Sequence, residues 1–308
     1  MDTSLRATPG EATSLQHRRL SLVLNEKAGG LPGGGDTLDL AALLAESGAV
    51  VRVIPPGALP ARLRDAALDA DAVVVAGGDG TVACAASVVG PSGLPLGILP
   101  AGTMNLLARD LRLPVGDLAA AAGIILAGQT RRIDVGRAGG QVFLCACMLG
   151  APARMGRHRE QARADGPWRQ WLKIGRAAWR VLSRPHSQRL TLTVDGVPHR
   201  LRTPSLTITV NAVDDVQGRL FARPVLDGGR LFAYAVRRPA ARDVIRVFLR
   251  LAWGRPRDAA LLVLDGTAMR VEGAGACLRL LVDGEERLLA SPVDFSVAQG
   301  ALCVFGPS

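Results

Sequence analysis

Between residues 20 and 128, short apolar runs alternate with segments of helical spacing. Leu20–Leu24, Val50–Ile54, Ala72–Ala76 and Leu96–Leu99 read as strands, and Leu38–Glu46, Leu59–Leu68, Thr81–Val89 and Met104–Leu111 as helices. Uninterrupted apolar strands separated by helices predict a mostly parallel sheet covered on both faces. From about residue 130 the texture changes to alternating runs: Gln188–Asp195, Ser205–Asn211, Arg230–Val236, Leu261–Val271, Ala276–Val282 and Ala301–Phe305. Half-buried strands with few helices between them predict an antiparallel β-rich domain. The helical exceptions are Ala153–Ala164, Trp168–Leu182 and Ala241–Trp253. The predicted layout is a disordered leader (1–19), an α/β domain (20–128) and a β-rich domain (129–308) with a basic helical insertion at 153–184.

Composition agrees with two folded domains. The chain has 308 residues, 48% hydrophobic and 21% charged, enough to bury two cores and too apolar for a wholly disordered chain. No apolar stretch approaches the roughly 18 residues that span a bilayer, and the polar N-terminus lacks the apolar centre of a secretory signal, so a cytoplasmic location is expected. Cys84, Cys145, Cys147, Cys277 and Cys303 form no CxxC pair, which predicts neither a disulfide framework nor a zinc site; they are expected to fill the core.

The formal charge of +10 is almost all arginine, because Lys27 and Lys173 are the only lysines. Twelve basic residues lie between Arg154 and Arg202, opposed there by Glu160, Asp165 and Asp195, a segment that calls for an anionic neighbour. Within it, Trp168, Trp171 and Trp179 share a helical stripe, with Arg169, Lys173, Arg176 and Arg180 toward the other side. Two readings fit: the helix docks on a bilayer headgroup region, or the tryptophans pack on the β domain beneath solvated arginines. No nucleic-acid motif accompanies the charge, so nucleic acid is not an expected partner.

The sharpest chemical feature is Val73-Val-Val-Ala-Gly77-Gly78-Asp79-Gly80-Thr81, an apolar strand entering a glycine-rich turn and then a helix. Glycines let main-chain N–H groups approach a phosphate, and the helix N-terminus favours negative charge. An acid there would repel phosphate, so Asp79 fits if a divalent cation lies between, or if it orients an acceptor hydroxyl or a water; a tight turn with Asp79 as a helix cap is the plain alternative. About twenty residues on, Leu99-Pro-Ala-Gly102-Thr103-Met-Asn105 repeats the logic, with Thr103 at the expected helix start and Asn105 and Arg109 four apart on one face. Two such turns at the carboxyl ends of neighbouring parallel strands converge on one crevice. A third glycine-rich turn, Asn25–Gly30, follows the first strand. Neither a GxxxxGK[ST] loop nor a strand-linked GxGxxG occurs, which argues against a P-loop nucleotidase and a dinucleotide-binding dehydrogenase.

Gly77–Thr81 followed by Leu99–Leu111 resembles the diacylglycerol kinase catalytic-domain family, which includes bacterial lipid kinases and the sphingosine and ceramide kinases. Further marks are Ile133–Gly136, Phe143–Gly150 in place of an FxNxxxxG stretch, Leu226–Gly229 near an LDDG, and Val282-Asp283-Gly284-Glu285. The resemblance implies a nucleotide-binding α/β domain and a β-rich domain with the active site in the cleft between them. It implies that Asn25, Gly77, Gly78, Asp79, Gly80, Thr81, Thr103 and Asn105 bind ATP, that Asp283 is the general base, with Glu285 on metal or proton duty, and that Asp79 and Asp134 serve magnesium. Without it, Asp283-Gly284 is a plain hairpin turn and Asp134 a structural strand-end acid. Three positions depart from the family pattern: Leu106 stands for an Asp, Cys145 for a frequent Asn, and Gly228 for the second Asp of LDDG, which would help hold a structural magnesium.

The implied function is an ATP- and magnesium-dependent kinase, peripherally associated with an anionic membrane surface, that phosphorylates a hydroxyl of diacylglycerol or a related lipid alcohol. An NAD kinase-like enzyme is the first rival, disfavoured because the Asn-Glu pair expected after the GGDGT turn is absent. A non-catalytic nucleotide-sensing protein is the second. Neither the lipid nor the oligomeric state follows from the sequence.

Overall fold

A computed structural model describes residues 18–25, 36–46, 49–54, 57–150, 187–213, 222–236 and 261–307. The basic Trp-containing helix, the Ala241–Trp253 helix, most of the Asn25–Gly30 turn and residues 1–17 of the expected leader lie outside the described residues. The chain divides into two compact units, residues 1–133 with 299–308, and residues 134–298.

The first unit is an α/β layer structure: β1 (Arg19–Leu24), α1 (Asp36–Ala45), β2 (Val50–Val53), α2 (Leu59–Leu68), β3 (Ala72–Gly77), α3 (Asp79–Val89), β4 (Leu96–Pro100), α4 (Leu106–Asp110) and α5 (Leu118–Leu126). Its strands are parallel in the order β2-β1-β3-β4. The burial follows from that order. Every residue of the central strands β3 and β4 is buried, so they are continuous apolar runs, whereas β2 at the edge exposes Val50 and Val53. Leu20, Leu22, Leu44, Val74, Leu99 and Ile125 join one core; truncating such a leucine to Ala costs about 2–5 kcal/mol. The apolar stretch from Leu118 forms α5, a helix absent from the sequence-based expectation; Asp117 starts it by accepting from the Ala120 N–H at 2.9 Å.

The second unit is antiparallel. One six-stranded sheet has the order β12 (Leu261–Gly266), β11 (Leu231–Val236), β10 (Ser205–Val210), β7 (Ala146–Gly150), β14 (Cys277–Val282) and β15 (Glu285–Ala290). A second set joins β16 (Val293–Phe305), β13 (Ala268–Gly273), β8 (Gln188–Val194) and β9 (Val197–Thr203), while β5 (Thr130–Ala138) pairs with β16 and with β6 (Gln141–Phe143). Phe143, Leu192, Ile208, Val271, Leu280 and Phe295 share its core.

Two expectations change. The predicted strand Leu261–Val271 is broken at Thr267 into β12 and β13, which pair in different sheets. The domain boundary at 128/129 moves to 133/134, and the last ten residues return to the first unit because the end of β16 pairs in parallel with β4 at Val304↔Leu96. A β-rich texture reports strand propensity and not which sheet receives the strand. The thiols also differ from core filler as a class: none of the five is in a disulfide, Cys145 and Cys147 are buried, Cys84 and Cys303 are half-buried, and Cys277 is exposed. Among the described residues no helix is long and apolar enough to cross a membrane.

Candidate functional site

In the first unit the order β2-β1-β3-β4 places its switch point between β1 and β3, where open α/β sheets bind ligands beyond the carboxyl ends of the strands. Asn25 follows β1 directly. Its main-chain N–H donates to Ala76 O at 2.9 Å, and its side-chain amide donates to Thr81 Oγ1 at 2.7 Å. Thr81 is buried and folds back over Gly77, where a Cβ would lie 2.4 Å from its hydroxyl oxygen. The first turn of α3 is thereby pinned to the end of β1.

The turns after β3 and β4 are zipped together. Ala101 N–H donates to Gly77 O at 3.0 Å, and a Cβ on Gly102 would stand 2.3 Å from Gly78 Cα. Such an approach needs glycine on both sides. Asn105 closes the second turn: its Oδ1 accepts from Gly102 N–H at 3.0 Å, and its Nδ2 donates to Gly102 O at 2.8 Å. It is buried, adopts φ +49°, and is the N-cap of α4. Asparagine tolerates that left-handed conformation better than most residues.

Asp79 spans the two turns. Gly78 is the N-cap of α3, so the simple cap reading of Asp79 does not hold; its Oδ1 accepts instead from Leu106 N–H, at the start of α4, at 2.6 Å. Burial pushes the Asp79 carboxyl above its ordinary value, while the main-chain N–H groups of Leu106, Asn105, Asp79 itself and Leu107 pull the other way. Leu106, where the family pattern has an acid, takes part through its main chain.

One expected residue is corrected. Thr103 does not start a helix: α4 begins at Leu106, and Thr103 is exposed in the bend before it. The side chain of Asn105 satisfies the turn that a threonine cap was expected to close. Asn105 and Arg109 stay four apart across the first turn of α4, where Arg109 N–H donates to Asn105 O at 2.9 Å and Arg109 Nε reaches back to Met104 O at 2.9 Å.

In the second unit, Asp283-Gly284 is the two-residue turn of the β14–β15 hairpin, with φ +44° and +91°. Its carboxylate is folded under the turn: Oδ2 accepts from Leu144 N–H at 2.6 Å, and Oδ1 from Cys145 and Ala146 N–H at 2.9 Å each. Burial raises its carboxyl above the ordinary value against those donors and the cation of Arg223. The same dipeptide recurs at Asp195-Gly196, joining β8 to β9, where Asp195 takes the N–H groups of Thr267 and Ala268 in solvent. There the carboxyl is held below its ordinary value, chiefly by the Ala268 N–H. The turn alone therefore does not tune the acid; burial does. A carboxyl whose affinity for protons is raised by burial is suited to proton transfer. Glu285, two residues after Asp283, is about half exposed and ion-paired with Arg287.

Asp134 is buried at the end of a different network. Its Oδ2 accepts from Asn211 Nδ2 at 3.0 Å and from Gly229 N–H at 2.6 Å, and its own N–H donates to Leu226 O at 2.7 Å. The turn around Gly228 is closed by these bonds, and a Cβ on Gly228 would lie 2.9 Å from Asn211 Oδ1. Among the described residues no three His, Cys, Asp or Glu side chains cluster as a metal cage. This donor set does not fit a resident magnesium held by protein groups alone.

Sequence reasoning missed Arg223, Asn211 and Arg62. Arg62 Nη1 and Nη2 donate to Leu24 O and Ile54 O at 2.7 Å each, tying α2 to the ends of β1 and β2. Nothing local distinguishes these residues from other arginines and asparagines in the chain; only their carbonyl partners do.

Comparison with known proteins agrees with this geometry. Residues 19–138 match the diacylglycerol kinase catalytic domain. Over 134 residues the chain is 36% identical to a diacylglycerol kinase of Mycobacterium tuberculosis (strain ATCC 25618 / H37Rv), covering 44% of this chain and 35% of that protein. Over 84 residues it is 38% identical to a diacylglycerol kinase of Bacillus subtilis (strain 168), covering 26% and 28%. The chain thus spans about a third of the length of the curated relatives it matches. In fold, it resembles a crystal structure of a diacylglycerol kinase from Bacillus anthracis str. Sterne, with a TM-score of 0.70 at 19% identity over 94% of this chain and 97% of that one. The yeast NADH kinase complexed with NADH is more distant, with a TM-score of 0.52 at 12% identity over 95% and 84%. The segment that builds the two zipped turns is thus similar to the diacylglycerol kinase catalytic domain.

Proposed function

We propose that this protein is an ATP-dependent lipid kinase that phosphorylates a hydroxyl of diacylglycerol or a related lipid alcohol. The observation that carries the proposal is the pairing of the Gly77–Thr81 and Gly102–Asn105 turns through Gly78, Gly102 and Asp79, inside the segment that matches the family. Main-chain N–H groups of the two turns and the N-terminus of α3 are suited to polyphosphate. Magnesium, entering with the nucleotide, would offset the charge of the phosphates, with Asp79 as its nearest protein carboxylate on this proposal. The acceptor hydroxyl attacks the γ-phosphorus, a P–O bond forms as the bond to the departing ADP breaks, and the hydroxyl proton passes to Asp283. A buried carboxylate of raised affinity for protons is chemically suited to that step.

Peripheral membrane association belongs to the same proposal, because a lipid alcohol resides in a bilayer and the arginine-rich segment at 153–184 would meet anionic headgroups. The test is ATP consumption by the full chain with magnesium, alone, with NAD, and with vesicles carrying diacylglycerol, sphingosine or ceramide. Turnover dependent on one lipid alcohol supports the proposal. Turnover with NAD, or nucleotide binding without turnover, overturns it. Asp283→Asn is expected to lower kcat by roughly 10²–10⁴-fold with ATP affinity intact.

A further inference from the structure

We propose that Arg223 is a positioning residue for the reaction, holding the Leu144–Ala146 connector in the one geometry in which its three N–H groups present the Asp283 carboxylate. This rests on Asp283 acting as the general base. Arg223 is 4% exposed. Its Nη1 donates to Leu144 O at 2.6 Å and to Val210 O at 3.0 Å, and its Nη2 to Cys145 Sγ at 3.3 Å. Asp283 accepts from the N–H groups of Leu144, Cys145 and Ala146 at 2.6–2.9 Å, so it shares Leu144 and Cys145 with Arg223. The Asp283 carboxyl thus holds the N–H groups of the connector while the Arg223 guanidinium holds a carbonyl and a side chain of the same short segment. The Leu144–Cys145 peptide group is bonded on both sides, its carbonyl to Arg223 and its N–H to Asp283, and the polarisation of each bond strengthens the other.

Burying a guanidinium is costly unless its donors are satisfied, and here Leu144 O, Val210 O and the weak acceptor Cys145 Sγ accept from it, so the cation holds two consecutive residues of the connector. Misplacing a reacting group by about 1 Å is enough to cost roughly 10²-fold in rate, so an anchor that never touches substrate still governs turnover.

The experiment uses the full chain with MgATP and a short-chain diacylglycerol in mixed micelles, comparing wild type, Arg223→Met, Arg223→Lys, Cys145→Ala, Asp283→Asn and the Arg223→Met/Asp283→Asn pair. Hydrogen exchange at the Leu144, Cys145 and Ala146 amides is read on the same proteins without lipid. Arg223→Met is expected to lower kcat by about 10–10²-fold with the KM for ATP unchanged, and to accelerate exchange at those three amides selectively. Lysine restores part of both, and the double variant is no slower than Asp283→Asn alone. If Arg223→Met does not fold, Cys145→Ala, which removes one acceptor, gives the same pattern with a smaller amplitude. Wild-type kcat in Arg223→Met, unchanged amide exchange, or losses that multiply in the double variant would overturn the positioning role. A full-activity Asp283→Asn, or no lipid turnover by wild type, sinks the general-base reading instead, and the exchange data then decide the anchoring by Arg223 on their own.

Discussion

The carboxylate of Asp79 accepts a 2.6 Å hydrogen bond from the main-chain N–H of Leu106, so one side chain ties the turn after β3 to the first residue of α4. A bond from a charged group, partly buried, is worth about 1.5–3 kcal/mol. That makes Asp79 a strut as well as a candidate ligand.

Asp79→Ala is therefore expected to destabilise the first unit by about 1–3 kcal/mol and to weaken ATP binding. Asp79→Asn retains an acceptor oxygen and should unfold closer to wild type while turnover falls by orders of magnitude. Denaturant melts and calorimetric ATP titrations on the two variants separate these effects. If both variants melt like wild type, the strut is immaterial.

Gly102→Ala should be poorly tolerated, because its Cβ would sit 2.3 Å from Gly78 Cα and 2.7 Å from Asn105 Oδ1. Backbone has no rotamer to give, so the two turns must separate. A loss of about 1–3 kcal/mol in stability and a sharp drop in ATP affinity are expected, read by thermal unfolding and nucleotide titration. Gly78→Val should behave alike, by meeting Gly102 rather than solely by obstructing phosphate.

The twin Asp-Gly turns predict opposite pH dependences. Asp195 has a lowered carboxyl, so its bonds stabilise the fold above the ordinary carboxylate value and that contribution disappears as pH falls through the lowered folded value. Asp283 has a raised carboxyl, so its contribution is full below the ordinary value and is lost as pH rises through the raised folded value. In urea melts from pH 3 to 7, the destabilisation by Asp195→Asn should grow with pH while that by Asp283→Asn shrinks. Parallel trends would show that burial does not distinguish the two turns.

Gly228→Asp restores the acid of the family pattern but has no room for it beside Asn211 Oδ1. The variant should be destabilised and gain nothing from magnesium, since Asp134 already receives Asn211 and Gly229. Melting with magnesium and with EDTA checks this. A magnesium-dependent rise in the variant's melting temperature would mean that the turn can reopen into a metal site.

By itself the sequence determined the parallel α/β half, the antiparallel half, and the glycine-rich turns at the ends of β3 and β4, because strand burial and turn geometry are written in local pattern. The turns that carry Gly78 and Asp79 were legible for that reason, whereas Asn25 and Thr81 were singled out by the family resemblance. Tertiary structure alone decided that Asp79 joins Leu106, that Asn105 and not Thr103 caps α4, that Glu285 pairs with Arg287, and that Asp283 and Arg223 grip one connector from both sides. Apart from the Glu285–Arg287 pair, two residues apart on the surface, these contacts link residues 27 to 139 positions apart or depend on which of two polar neighbours turns inward. Burial at such distances is a property of the closed core and leaves no periodic trace in the chain. Asp195-Gly196 and Asp283-Gly284 are the same two letters in sequence. Only the packing above Asp283 makes one of them a raised, buried acid and leaves the other a solvated turn.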